Sequence, residues 1–368
     1  MHKDRVPSLK IRNLEICPPV IQGGMGVRVS GASLASAVAN TGCAGVIASA
    51  GLGFFESLRG SDARKLGEEV FRQEIRRARE RTNGPLGVNI MVALTDYENL
   101  VRAAVEEKAD MIISGAGLPL NLPGSVGDSE ISLIPIVSSA RTLRIICRRW
   151  QDRFNRLPDA VVVEGPMAGG HLGYSPESIA DESVSSLEEI VASVVEVANS
   201  FSPRVPVVAA GGIFDGRDIA RFLRLGASGV QMATRFVCTD ECDVHENFKR
   251  AYLAARREDI TIINSPVGLP GRVINNEFVE KIKKGKTMPI NCKFHCLRSC
   301  DPTKAPYCIA EVLAKAAQGR LEESFAFAGS NAYRCQEIVP VKTLVETLTG
   351  ELAEALTDGP LRSAADAA

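Results

Sequence analysis

Apolar residues in the first two thirds of the chain fall into short unbroken runs, separated by stretches of helical periodicity. The runs are Pro19–Gln22, Gly45–Ser49, Leu86–Met91, Met111–Ser114, Leu133–Ser138, Ala160–Glu164, Val205–Ala210 and Gly229–Thr234. They do not alternate apolar with polar positions, and strands buried on both faces of a parallel sheet read this way. Between them, Leu66, Val70, Ile75 and Ala78 fall close to helical spacing with Arg and Glu on the opposite face, and Leu100, Val101 and Ala104 repeat the pattern. Three helix starts are predicted by a capping oxygen followed three residues later by a carboxylate: Ser186 with Glu189, Asp215 with Asp218, and Asp243 with Glu246. The stretch PLNLPGSVGD before Leu133 reads as a loop, so one helix of the series is expected to be short or absent.

Strands alternating with helices in this way predict an α/β protein, first of all a TIM (β/α)8 barrel. An open doubly wound sheet is the alternative, disfavoured because no GxGxxG opens a helix after a strand. Beyond about residue 258 the pattern changes to Pro, Gly, a basic stretch KIKKGK, clustered cysteines and a helical stretch from Ala310 to Ala317. The predicted organisation is therefore a barrel over residues 1–258 and a C-terminal lid or cap over residues 259–368 that carries the cysteines.

Composition narrows the function. The 368 residues are 45% hydrophobic and nearly charge-balanced, with 43 basic against 44 acidic residues. A dedicated nucleic-acid binder would be strongly basic, and aromatics at 5% leave little material for base stacking. No run of about 18 apolar residues predicts a membrane span. The N-terminal MHKDRVPSLKIRN lacks the apolar core of a signal peptide, so a cytoplasmic location is expected. In that reducing compartment the ten cysteines do not read as disulfides.

In a barrel, chemistry collects at the C-terminal ends of the strands. The first strand runs into Gln22, Gly23, Gly24, Met25 and Gly26. Glycines there let the backbone approach a flat ring, or simply make a turn. Asn89 stands inside an apolar strand and needs a polar partner, either a cofactor or a structural hydrogen bond. The sixth strand leads through Glu164 into Gly169, Gly170, His171, Leu172 and Gly173. A histidine between glycines is poor core filling, and imidazole can move a proton near neutral pH. The last two strands end at Gly211, Gly212 and at Gln231, Ala233, Thr234. Barrel phosphate sites are built at this pair of loops from backbone amides and a hydroxyl.

Taken together, PVIQGGMG, GVNIM, EGPMAGGHLGY, VPVVAAGGI and GVQMATRF resemble the nitronate monooxygenase family, formerly called 2-nitropropane dioxygenases, which includes flavin-dependent enoyl-ACP reductases. The resemblance covers roughly residues 17–280. It implies a barrel with non-covalent FMN. Gln22, Gly23, Gly24 and Met25 would line the flavin, Asn89 would bond it, and Gly169 and Gly170 would border the ring. Gly211, Gly212, Gln231, Ala233 and Thr234 would take the phosphate end, and His171 matches the family's catalytic histidine.

Cys292, Cys296, Cys300 and Cys308 read C-x3-C-x3-C-x7-C, with Lys293, Arg298 and Lys304 available to offset negative charge. On a helix the first three would share one face. An iron–sulfur cluster, a zinc ion and unliganded thiols are the three readings, with Cys335 as an alternative ligand. The basic residues Lys281, Lys283, Lys284 and Lys286 form either a solvated face or a dock for an acidic partner such as an acyl carrier. Three functions follow. One is an FMN oxidoreductase acting on alkyl nitronates or a similar small carbon acid. The second is an NAD(P)H-dependent reductase of enoyl thioesters or quinones. The third is a flavin and iron–sulfur electron-transfer protein.

Overall fold

A computed structural model of the chain describes residues 5–55, 60–292 and 294–357. Eight parallel strands form one sheet: β1 (Val20–Gln22), β2 (Gly45–Ala48), β3 (Leu86–Met91), β4 (Met111–Gly115), β5 (Ser132–Val137), β6 (Val161–Glu164), β7 (Val207–Ala210) and β8 (Gly229–Met232). Each pairs with its neighbours in chain order, and β8 pairs with β1 in the register Val230↔Val20. A parallel bridge between Ile21 and Ala44 joins β1 to β2 and closes the barrel. The eight predicted strands are all present, with ends shifted by one or two residues.

Strand side chains divide between two apolar cores with a period of two. Ile21, Val46, Met111, Ile113, Ile134, Val162 and Val208 fill the barrel interior, where the hairpin Leu9–Ile11 and Leu14–Ile16 adds Leu9, Ile11 and Ile16. The alternate residues, among them Val20, Ile47, Val88, Ile112, Val161, Val163 and Val230, face the surrounding helices. This parity turns Asn89, Glu164 and Gln231 toward the interior at its C-terminal mouth, because each stands two residues, or an even number, from an inward neighbour or one residue from an outward one.

The ring consists of α1 (Ala32–Asn40), α2 (Gly60–Arg79), α3 (Tyr97–Glu106), α4 (Leu122–Val126), α5 (Ala140–Phe154), α6 (Pro176–Ala180), α7 (Leu187–Asn199), α8 (Gly216–Arg224), α9 (Thr234–Val237) and α10 (Glu246–Ala254). The helix expected to be short is α4, with five residues. Ser186 makes both halves of its capping box with Glu189. Asp215 caps α8 by accepting from Asp218 N at 3.0 Å. The third start differs from expectation. His245, not Asp243, is the N-cap of α10. The Asp243 carboxylate instead accepts from the backbone N–H of Gly31, Ser33 and Leu34, where α1 begins. A tertiary partner with three free amides outcompetes the local cap. The last strand also ends earlier than predicted, and Thr234 opens α9.

After α10 the chain leaves the ring. β9 (Ile260–Asn264) and β10 (Pro270–Ile274) pair antiparallel, and β10 pairs with the short strand Gly170–His171. Helices α11 (Glu277–Lys283) and α12 (Ile309–Ala317) follow, around a small core of Ile263, Val273, Phe278, Tyr307, Val312 and Phe325. The chain then returns: α13 (Val341–Thr357) packs on α8 and α1, tied by Glu351, which accepts from Gly216 N at 2.8 Å.

Candidate active site

At the barrel mouth Gly23 donates to Met232 O at 2.8 Å, which laces β1 to β8 beyond their last paired residues. Gly24 stands so close to Asn89 that any Cβ would overlap the Asn89 side chain. Asn89 donates to Ile113 O at 3.3 Å, so it has a structural bond as well as an inward position. Met25 is partly buried against the outer core. Gln22 is placed differently from its neighbours. It is fully buried, its side-chain amide donates to Gly23 O, and its carbonyl accepts from Val46 N at 2.9 Å. Its side chain thus completes the β1–β2 seam, where the main-chain pairing is a single bridge.

Two polar atoms at these strand ends are buried with no partner among the described residues: the side-chain carbonyl Oε1 of Gln231 and the hydroxyl of Ser49, just past β2. Gln231 lies along Gly23, and Ser49 N is bonded to Asn89 O. Leaving a buried polar atom unpaired costs about 1–3 kcal/mol, a cost that a ligand with donors and acceptors on its edge removes. A flavin ring has such an edge, so the residues present fit it.

The other end of the mouth is made of turns. Gly211 and Gly212 have φ of 100° and 78°, a region that favours glycine and lets the chain present successive backbone groups to one point. Opposite them comes a segment from the C-terminal excursion. Gly329 packs on Thr234 and Gly169, Ser330 N donates to Met167 O at 3.2 Å, and Asn331 donates to Gly212 O at 2.6 Å. The Ser330 hydroxyl is buried and has no partner among the described residues. Gly212, Thr234 and Ser330 are thereby brought to one side of the mouth. Ser330 was missed in the sequence; a Gly-Ser-Asn turn between apolar residues was its only signal.

His171 sits on the short strand, opposite Gly271. Its Nε2 lies 2.7 Å from Ser265 Oγ, and Phe327 meets it edge-on at 4.9 Å between ring centres. Nδ1 has no hydrogen-bond partner among the described residues. Burial lowers the imidazole to about 4, so the ring is neutral at physiological pH. Three residues fix this wall. Arg272 donates to Pro166 O and Ala168 O, both at 2.6 Å, and stays charged although burial lowers it to about 10. Tyr252 OH donates to Phe327 O at 2.5 Å. Gly170 has φ of 78°. Ser265, Arg272 and Phe327 left no trace in the sequence reading, because each acts across about a hundred residues or more. Glu164, inward at the end of β6, is pushed up to about 7 by burial, and Tyr174 OH bonds its backbone carbonyl at 2.7 Å.

The predicted cysteines come together, but not on a helix. Residues 294–308 are turns, bends and irregular chain apart from a bridge at Leu297, and α12 begins only after Cys308. Cys292, Cys296, Cys300 and Cys308 line one cavity. Cys335 is elsewhere: its thiol lies against that of Cys238 in the outer core. Among the described residues no three His, Cys, Asp or Glu side chains converge closely enough to hold one metal ion. Lys293 lies outside the described residues. Lys281 and Lys283 pair within α11 with Glu277 and Glu280 at 3.7 and 3.8 Å, as a solvated face does. A surface cleft of about 660 Å3 lined by Arg12, Asp159 and Arg204 lies at the opposite, N-terminal face of the strands and has no part in this site.

Residues 7–351 match the model of the nitronate monooxygenase family. The chain belongs to the nitronate monooxygenase family. It is accordingly an oxidoreductase, of a family whose typical cofactor is FMN. A probable nitronate monooxygenase of Bacillus subtilis is 25% identical to it over 93% of this chain and 98% of the relative. A (3aS,4S,5R,7aS)-5-hydroxy-7a-methyl-1-oxo-octahydro-1H-indene-4-carboxyl-CoA dehydrogenase of Mycobacterium tuberculosis is 30% identical over 76% of this chain and 69% of the relative. The protein of that name from Rhodococcus jostii is 29% identical, and the match spans 66% of its length. FabK from Thermotoga maritima superposes with a TM-score of 0.73 at 29% identity, over 92% of this chain and 94% of that one. No helix among the described residues of this nitronate monooxygenase family member is long and apolar enough to cross a membrane.

Proposed function

We propose that the protein is an FMN-dependent oxidoreductase of nitronate monooxygenase type, acting on an alkyl nitronate or a similar small carbon acid. The observation that carries this reading is the neutral His171 held at the barrel mouth by Ser265 and Phe327. A neutral imidazole can accept a proton from an acidified substrate carbon, or orient that carbon. Bound FMN would supply the two-electron acceptor and, once reduced, reactivity toward oxygen or another acceptor. Around it, Gln231, Ser49 and Asn89 meet the ring edge, Gly23, Gly24 and Met25 line it, and Gly169 and Gly170 border it. Gly211, Gly212, Ala233, Thr234 and Ser330 hold the phosphate. The cytoplasm, with its reducing conditions, suits a chain of ten cysteines.

A second reading is favoured by one observation: two of the curated relatives are named as dehydrogenases of a carboxyl-CoA. On that reading the substrate is a thioester, NAD(P)H or its oxidised form is the exchange partner of the flavin, and an acyl carrier is a partner. Anaerobic flavin reduction separates the two. An alkyl nitronate that bleaches the flavin faster than NADH or NADPH supports the first reading, and bleaching by NAD(P)H alone replaces it with the second. In either case His171→Ala should keep FMN bound and slow turnover by roughly 10²–10⁴-fold if the ring moves a proton. A variant with undiminished turnover removes His171 from the chemistry.

A further inference from the structure

We propose that Cys292, Cys296, Cys300 and Cys308 hold an iron–sulfur cluster in the cavity they line beside the active-site wall. All four thiols border one cavity together with His295 and Tyr307. Tyr307 is 2% exposed, yet its hydroxyl has no hydrogen-bond partner among the described residues. A buried hydroxyl without a partner is costly, and cluster sulfurs accept hydrogen bonds of this kind. Cys308 immediately precedes α12, so the positive end of a nine-residue helix faces the cavity and favours a negatively charged occupant.

The spacing of the cysteines suits a cluster better than a single ion. Among the described residues no group of three or more His, Cys, Asp or Glu side chains is arranged to hold a metal ion directly, which argues against a single tetrahedral zinc at about 2.3 Å from each thiolate. A polynuclear cluster spreads its four thiolates around a larger core. The C-x3-C-x3-C-x7-C spacing also departs from the short CxxC pairs of structural zinc.

The loop is built to stay where it is. Leu297 bridges Leu94, Thr95 N donates to Cys296 O at 3.0 Å, and Arg298 N donates to Ala93 O at 3.0 Å, which anchors the cysteines on the turn after β3. His295 has φ of 45°, a left-handed backbone conformation immediately before Cys296. On the far side the cavity touches Pro266 and Val267, the two residues after the serine that bonds His171. The cluster would thus stand behind the wall that carries the catalytic histidine.

The test uses the full chain, purified without oxygen or reconstituted anaerobically with ferrous iron and sulfide. Iron, acid-labile sulfide and zinc are counted per chain, and the dithionite-reduced protein is examined by electron paramagnetic resonance at low temperature. The expected result is iron and sulfide in equal amounts, about four of each for a four-thiolate cubane, with a signal that flavin alone does not give. Cys296→Ser and Cys308→Ser should each lose at least half of both while FMN content stays the same, and Cys17→Ser at the other end of the barrel should lose neither. Zinc near one per chain without sulfide, iron without sulfide, no metal after reconstitution, or full iron and sulfide in both cysteine variants would each overturn the proposal. The metal content of the unmodified protein decides it even where a variant fails to fold. None of these readouts depends on turnover, so the result is independent of the function proposed above.

Discussion

Replacing Glu164 by Gln should change how stability depends on pH more than it changes stability at any acidic pH. Glu164 ends β6 with its side chain directed inward, alternating with the interior residue Val162. No hydrogen bond or ion pair to its carboxylate is present among the described residues. Burial raises its pKa from 4.5 to about 7. The folded chain therefore holds a proton that the unfolded chain releases between about pH 4.5 and pH 7. Over that window the native state binds more protons than the unfolded state, so stability falls as pH rises. The contribution is fully present below about pH 4.5 and is lost above about pH 7. A shift of about 2.5 units corresponds to roughly 3 kcal/mol at 1.36 kcal/mol per unit. The residue is only partly buried by surface area, and water in the mouth screens the charge, so about 1–2 kcal/mol is the working expectation. Urea unfolding of flavin-free protein at pH 5, 6, 7 and 8 measures it. Glu164→Gln should exceed the unmodified protein by that amount at pH 8 and by a clearly smaller margin at pH 5, which lies only just inside the window. His171 contributes a slope of the opposite sign, because burial lowers its pKa, and it cancels in the difference between the two proteins. A difference independent of pH, or a variant weaker at pH 8, would refute the assignment of a buried, unpaired carboxyl.

Other consequences follow from the same geometry. With His171 lowered to about 4, any acid loss of turnover due to its protonation should centre near pH 4 in a plot of kcat/KM; a loss centred near 6.5 that vanishes in His171→Ala would contradict its burial. Gln231→Leu removes the unpartnered carbonyl and should weaken FMN binding about tenfold, roughly one hydrogen bond, without destabilising the flavin-free chain. Flavin titration and urea unfolding check the two halves, and unchanged affinity would remove Gln231 from the site. Asp243→Ala strips three amides at the start of α1 of their acceptor and should cost roughly 2 kcal/mol; a loss below about 0.5 kcal/mol in urea would show that solvent replaces the carboxylate.

The barrel was legible because its cause is repetitive and local. Strands covered on both faces must be apolar at successive positions, so runs such as Val161–Val163 and Val207–Ala210 announce themselves. Ser186 and Asp215 cap helices within three residues of themselves, and those contacts depend only on chain spacing. The glycine turns and His171 stood out because their composition suits neither a helix nor a core. What tertiary structure decided is which distant groups face one another. Asp243 carries a local capping signal but serves α1 more than 200 residues earlier, where free amides offer more than its own helix does. Gln22 stands in the motif of a cofactor site and spends its side chain on the barrel seam. Ser265, Arg272, Phe327 and Ser330 enter the site only because the chain after α10 folds back over the mouth before α13 rejoins the ring. The four cysteines meet through an irregular loop instead of a helical face. Burial patterns follow from the chemistry of each residue and its near neighbours, whereas the pairing of distant loops depends on packing of the whole chain, and no periodicity in the sequence encodes it.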